Sequence, residues 1–176
     1  GYDLVNGYAE ISSYTQLAAF TCNGLLLGLT RGQVQGRMAP FYKYIALAHK
    51  EWSYSQRSWN RPAQTHCWLL QQEEFLRRHC MDNRMLDALH RDQLGTPERP
   101  MFRSDAPGSL TAAVAVALCR DAAKLSFSQV ARLGAEAVAL THGEPTAFLS
   151  GAFLASAVAN LLEDPEQNLV ALYTRL

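Results

Sequence analysis

Several short stretches hold residues whose types and spacing could support chemistry. ISSYTQ (11–16) crowds Ser12, Ser13, Tyr14 and Thr15 at the start of a long apolar helical run. A serine in that place can cap the helix, its oxygen accepting a backbone N–H. Four hydroxyls without a carboxylate cannot offset the charge of a hard divalent cation. ALTHGEPTAFLSGAF (139–153) reads as helix end, turn and helix start. Gly143 suits a left-handed position after a helix, and Pro145 suits the first turn of the next. His142 then falls at a helix C-terminus, where the dipole favours its protonated form. His66-Cys67 and His79-Cys80 offer two imidazoles and two sulfurs of the kind zinc takes. Adjacent helical side chains diverge, however, so the pairs read as ordinary helix-end dipeptides and no metal is expected. Glu73-Glu74, beside Gln71, Gln72, Arg77 and Arg78, reads as a solvated face. The sequence contains no GxSxG, no HExxH and no glycine-rich phosphate loop before a lysine.

The elements that must position these residues are helical. Leu17, Phe20, Leu25 and Leu29 give helical spacing from Tyr14 to Leu29, with Thr21 and Asn23 off that face. Gly24 and Gly28 weaken the run by about 1 kcal/mol each unless a neighbour packs close. A second helix is expected from Pro40 to about Ser58, NRPAQ breaks it, and a shorter one follows in CWLLQQEEFLRR. Asp82 caps NRMLDALHRD, which is expected to end near Gly95; residues 94–107 are loop-like. Alanine-rich helices are expected at about 109–124, 127–141 and 146–163, with a last one from Pro165. Being apolar nearly all round, they should form the centre of the bundle. Alternation over strand lengths is absent, and Asn6-Gly7 lies in polar sequence that does not suggest a hairpin. Trp52, Trp59 and Trp68 are expected in the core or a groove. The fold class is all-α, one domain over residues 1–176.

Bulk properties exclude some partners. Sixteen basic residues balance sixteen acidic ones, so no net field draws the chain to nucleic acid or an anionic membrane. The apolar stretches 110–119 and 147–162 fall short of the roughly 20 residues of a membrane span. Cys22, Cys67, Cys80 and Cys119 show no CxxC spacing and read as free thiols, which places the protein in the cytoplasm.

The phrase A-x-T-H-x-x-P with the small-residue helix after it resembles the ADP-ribosylglycohydrolase family, the all-α group that includes the dinitrogenase reductase-activating glycohydrolases. AEISSYTQLAAFTCNGLLLG (9–28) is similar to the family's first metal-binding segment. There Ser12 matches a hydroxyl residue, Ser13 and Tyr14 stand at two aspartates, and Thr15 matches a threonine. RSDAPGSLTAAVAVAL (103–118) resembles the substrate-contacting S-K-G-x-G-G loop and its helix. Ser104 and Gly108 match; Asp105 replaces a lysine, Ala106 and Ser109 glycines, and Ala112 an arginine. The resemblance covers most of the chain and leaves out the family's N-terminal segment and a C-terminal aspartate-rich one.

The resemblance implies chemistry with two magnesium ions that bind the distal ribose of ADP-ribose and activate water. Serine hydroxyls are neutral, and a tyrosine with a pKa of about 10 stays protonated at neutral pH. Glu10 is the one carboxylate close by. The expectation is therefore a family-like protein without magnesium-dependent hydrolysis: no catalytic residues, no cofactor, and no metal at Ser12, Ser13, Tyr14 and Thr15. It is expected to bind ADP-ribose or a related nucleotide through Ser104, Asp105, Gly108 and His142, or to regulate a partner. Two alternatives stand beside it: a genuine hydrolase seen as a partial chain, and an all-α interaction domain that self-associates or binds another protein.

Overall fold

The computed structural model describes residues 4–5, 7–37, 39–57, 64–79, 81–166, 168, 170–171 and 174. The chain is all-α apart from a small hairpin at its start. Strand β1 (Leu4–Val5) pairs antiparallel with β2 (Tyr8–Ala9), Leu4 opposite Ala9 and Val5 opposite Tyr8. Gly7 thus lies in a tight connection between the two strands, against expectation, with φ +82°, as such turns require; Asn6 lies outside the described residues. The strands are too short to show the alternation that marks longer hairpins.

Helix α1 (Ser13–Gln35) runs past Leu29 and ends at Gly36, which takes the left-handed conformation (φ 67°). Leu17, Phe20 and Leu25 are fully buried, and so, against expectation, are Thr21 and Asn23. Helix α2 (Phe41–Arg57) packs across α1. A Cβ at Gly24 would lie 2.7 Å from the Tyr44 carbonyl oxygen, so the glycine permits the two backbones to approach. Trp52 is fully buried, whereas Trp68 is 53% exposed and lies outside the core. Trp59 lies outside the described residues.

CWLLQQEEFLRR is not an α-helix. It forms two single 3-10 turns, Trp68–Gln71 and Glu73–Leu76. Helix α3 (Asn83–Leu89) is capped by Asp82, whose side chain accepts the Arg84 N–H, and stops earlier than Gly95. The loop that follows closes on a Thr96–Arg99 bridge. A 3-10 turn, Pro107–Ser109, leads into α4 (Leu110–Leu118); α5 (Arg120–Ala123) and α6 (Phe127–Ala139) follow. Ser126 caps α6 with the reciprocal Gln129 bond of a capping box. Helix α7 spans Pro145–Glu163. Most of the sequence after Pro165 in which a last helix was expected lies outside the described residues.

Helix α4 is the central element, packed on α1, α6 and α7. Its Ala112, Ala113, Ala115, Val116 and Ala117 are buried. Helix α7, expected at the centre too, is not. Only its small face, Ala147, Gly151, Ala155, Ser156 and Ala159, is buried, against α4 and α6. Leu149 and Leu162 are 60% and 56% exposed. By length and composition alone α7 could cross a bilayer, which the shorter sequence boundaries did not suggest.

One buried base sits between α1 and α2. His49 Nε2 shares a 2.8 Å hydrogen bond with the Thr21 hydroxyl, while Nδ1 has no partner. Burial lowers its pKa from 6.5 to about 3. Between those values the unfolded chain binds a proton that the native state excludes, so stability falls as pH falls through that window. His142 and His90, also lowered by desolvation, act in the same direction. For His49 alone the loss from about pH 7 to about pH 5 is roughly 2 kcal/mol. In urea unfolding at both pH values, His49→Gln should lose less stability on acidification than the wild type by about that amount. Equal losses would show that His49 is already neutral in the unfolded chain or accessible in the native one.

Candidate functional site

The first turn of α1 is organised by hydroxyls. Ser12 Oγ accepts the Thr15 N–H at 3.2 Å and bonds the Thr15 hydroxyl at 3.1 Å, which makes it the cap expected from sequence. Ser13 is buried and Tyr14 is 47% exposed. The Tyr14 ring lies against the backbone of Gly108: a Cβ there would sit 2.5 Å from Tyr14 Cε1 and 3.3 Å from its hydroxyl oxygen. Glu10 is ion-paired with Arg77.

The loop 102–108 joins the remaining pieces. At one end Gly143 N donates to the Phe102 carbonyl at 2.8 Å and Glu144 N to that of Ser104 at 3.4 Å. At the other end lies Gly108 under Tyr14. Ser104 Oγ accepts the Ala106 N–H at 3.3 Å and so shapes the loop, and Asp105 is exposed. Thus all three sequence segments meet, each through this loop. Gly143 does not adopt a left-handed conformation, for the positive-φ glycines among the described residues are Gly7 and Gly36. Its missing side chain is required instead because Phe102 O would lie 2.9 Å from a Cβ.

His142 is 4% exposed and shares a 2.9 Å bond between Nδ1 and the Thr141 hydroxyl. Desolvation lowers its pKa, with Asp82 opposing that shift. Burial thus disfavours the protonated ring that the helix-end position suggested.

Sequence reasoning passed over Ser109. Its hydroxyl is buried without a partner at the head of α4, next to Gly108. Helix starts carry N–H groups that lack intrahelical acceptors and favour anions. Arg103, on the same loop, is exposed. Arg84, paired with Asp82, lies over the Phe102 ring at 5.4 Å.

The donor set does not fit a dinuclear magnesium centre. Magnesium needs hard, largely anionic oxygen ligands. The four positions supply a capping hydroxyl, a buried serine, a phenol seated on backbone and a threonine bonded to its neighbour. Glu10, the carboxylate just before these positions in sequence, is engaged with Arg77. Among the described residues no group of three or more histidines, cysteines, aspartates or glutamates converges. His66 Nδ1 pairs with Glu51, and Glu73 and Glu74 are exposed as expected; Cys80 lies outside the described residues.

The family model for ADP-ribosylglycohydrolase matches residues 2–176. Neither a curated protein nor a solved structure matches the chain significantly.

The contact of Tyr14 with Gly108 can be tested by a double-mutant cycle. Gly108→Ala forces the ring aside and should cost about 1–2 kcal/mol in denaturant unfolding. In the Tyr14→Ala background the same change should cost less by at least about 0.5 kcal/mol. Additive losses would mean that the ring does not rest on Gly108 in solution.

Proposed function

The chain belongs to the ADP-ribosylglycohydrolase family, and from that premise we propose that it binds ADP-ribose or a related nucleotide without hydrolysing it, as a regulatory pseudoenzyme. One observation carries this reading: Tyr14, which the resemblance sets at a metal-ligand position, has its ring on Gly108 and brings a neutral phenol where a carboxylate is expected. What the resemblance assigns to metal chemistry is thus replaced by capping and packing.

Support for a retained ligand comes from the head of α4. The Ser109 hydroxyl, buried without a partner beside the first turn of α4, is the donor assigned to a phosphate oxygen. Asp105 opposes an anion while Arg103 attracts one, so loop charge sets the affinity rather than a metal. Binding should therefore be indifferent to chelator. Titration calorimetry with ADP-ribose is expected to give one site with the same Kd in magnesium and in EDTA, weakened roughly tenfold by Ser109→Ala. The purified chain should release no ADP-ribose from ADP-ribosyl-arginine. Magnesium-dependent release would overturn the proposal and favour the genuine hydrolase; absence of binding would remove the nucleotide.

The exposed side of α7 favours a second reading, association with another copy. Leu149, Leu162 and, on α4, Leu118 are each more than half exposed. Phe127, Ala131, Leu149 and Ala152 line a groove of about 380 Å³ between α6 and α7. Apolar surface of this kind marks interaction sites. Light scattering should show a dimer that Leu149→Asp converts to monomer; a monomeric wild type would rule this reading out.

A further inference from the structure

Two cysteines from opposite halves of the chain meet where α1 passes α4. Cys22 lies in α1, eight positions beyond Tyr14, about 12 Å along the axis. Cys119 closes α4. The Cys22 thiol approaches the Ala115 carbonyl oxygen at 3.9 Å, and that same oxygen accepts the Cys119 N–H at 3.2 Å. The shared carbonyl sets the two cysteines side by side, close enough for each thiol to influence the other's proton. Both residues are free and half-buried, so a small oxidant can reach them; Cys67, by contrast, is 1% exposed.

The pair is also unequal. With Cys119 S–H donating to it, Cys22 is pushed down to about 7 from its ordinary value of 9.0. Cys119 is held up by that bond and by burial. A thiolate beside a protonated thiol is the arrangement of an attacking sulfur and its resolving partner.

We infer that Cys22 and Cys119 are a modification site, closing reversibly into an intramolecular disulfide when the protein meets hydrogen peroxide. The Cys22 thiolate attacks one peroxide oxygen. The O–O bond breaks, hydroxide leaves and takes up a proton as water, and Cys22 becomes a sulfenic acid. The Cys119 sulfur then attacks the Cys22 sulfur. The S–S bond forms as the S–O bond breaks, and the departing hydroxide takes the Cys119 proton as a second water. Peroxide gains two electrons and the two thiols lose them. A small thiol reverses the bond by exchange.

The bond would join α1 and α4, the helices whose beginnings bring Tyr14 to Gly108. It would fasten them about two turns from that contact, whatever ligand the family site holds.

Differential alkylation and mass spectrometry test this on the whole chain. Reduced protein treated with equimolar peroxide should lose two alkylatable thiols and about 2 Da as a monomer. Digestion should yield a peptide pair joined through Cys22 and Cys119, with Cys67 still alkylated and the bond reversed by dithiothreitol. In Cys119→Ser, dimedone should trap Cys22 as a sulfenic acid. Two free thiols after treatment, a bond from Cys22 to Cys67 or Cys80, or a disulfide between chains would overturn the inference.

Discussion

The structure depends on a buried set of amides and one carboxylate that satisfy a segment without regular secondary structure. Residues 64–79 run against α1 and α2 in two 3-10 turns and extended backbone, so most of their polar groups have no ladder to join. Gln16, fully buried, donates to the Glu74 and Arg77 carbonyls and accepts from Trp52 Nε1 and Gln56 Nε2. Gln56 donates to Arg77 O and accepts the His79 N–H. Asn23 accepts from Leu69 N, and the Glu51 carboxylate accepts the N–H groups of His66 and Cys67 at 2.9 Å. A buried polar group without a partner costs about 1–3 kcal/mol, so this set holds together or fails together.

That network fixes the start of α1, and with it the site. Gln16 follows Thr15 directly, and its side chain is held by four partners on α2 and the 74–77 backbone. The preceding turn therefore has little freedom to swing away from the loop 102–108. Tyr14 over Gly108 is a consequence of where Gln16 is anchored. Arg77 contributes twice, through its carbonyl to Gln16 and Gln56 and through its side chain to Glu10. The arginine thereby occupies the carboxylate that precedes the first turn of α1.

Much of this was legible in the sequence, and two of the failures share one cause. The all-α class, the Asp82 and Ser12 caps and the loop after Leu94 follow from local signals that tertiary context did not oppose. CWLLQQEEFLRR was mistaken for a helix because its apolar residues have plausible helical spacing. The contrary information lay elsewhere, in Gln16, Asn23, Glu51 and Gln56, which read as the polar sides of their own helices. Polar residues that serve a distant backbone carry no mark of that service in a single sequence. Ser109 was missed similarly, since it stood as a replaced glycine rather than as a hydroxyl. Gly7 is different: its turn chemistry was visible, and flanking composition was given too much weight.

The same reasoning bears on why α7 lies at the rim. Its small residues recur about every four positions, and Gly151 meets α6 so closely that a Cβ would be 2.6 Å from Val138 Cγ2. Such a stripe brings two helices together along one line, and it uses little circumference in doing so. Helix α4 satisfies three neighbours because small and medium apolar residues, four alanines and two valines among nine, line most of it, whereas α7 carries Leu149 away from its stripe. Overall apolarity was therefore the wrong measure of centrality. The width of the small-residue face decides how many helices can pack, and for α7 that width accommodates α4 and α6 and leaves large apolar side chains to whatever the outer face contacts.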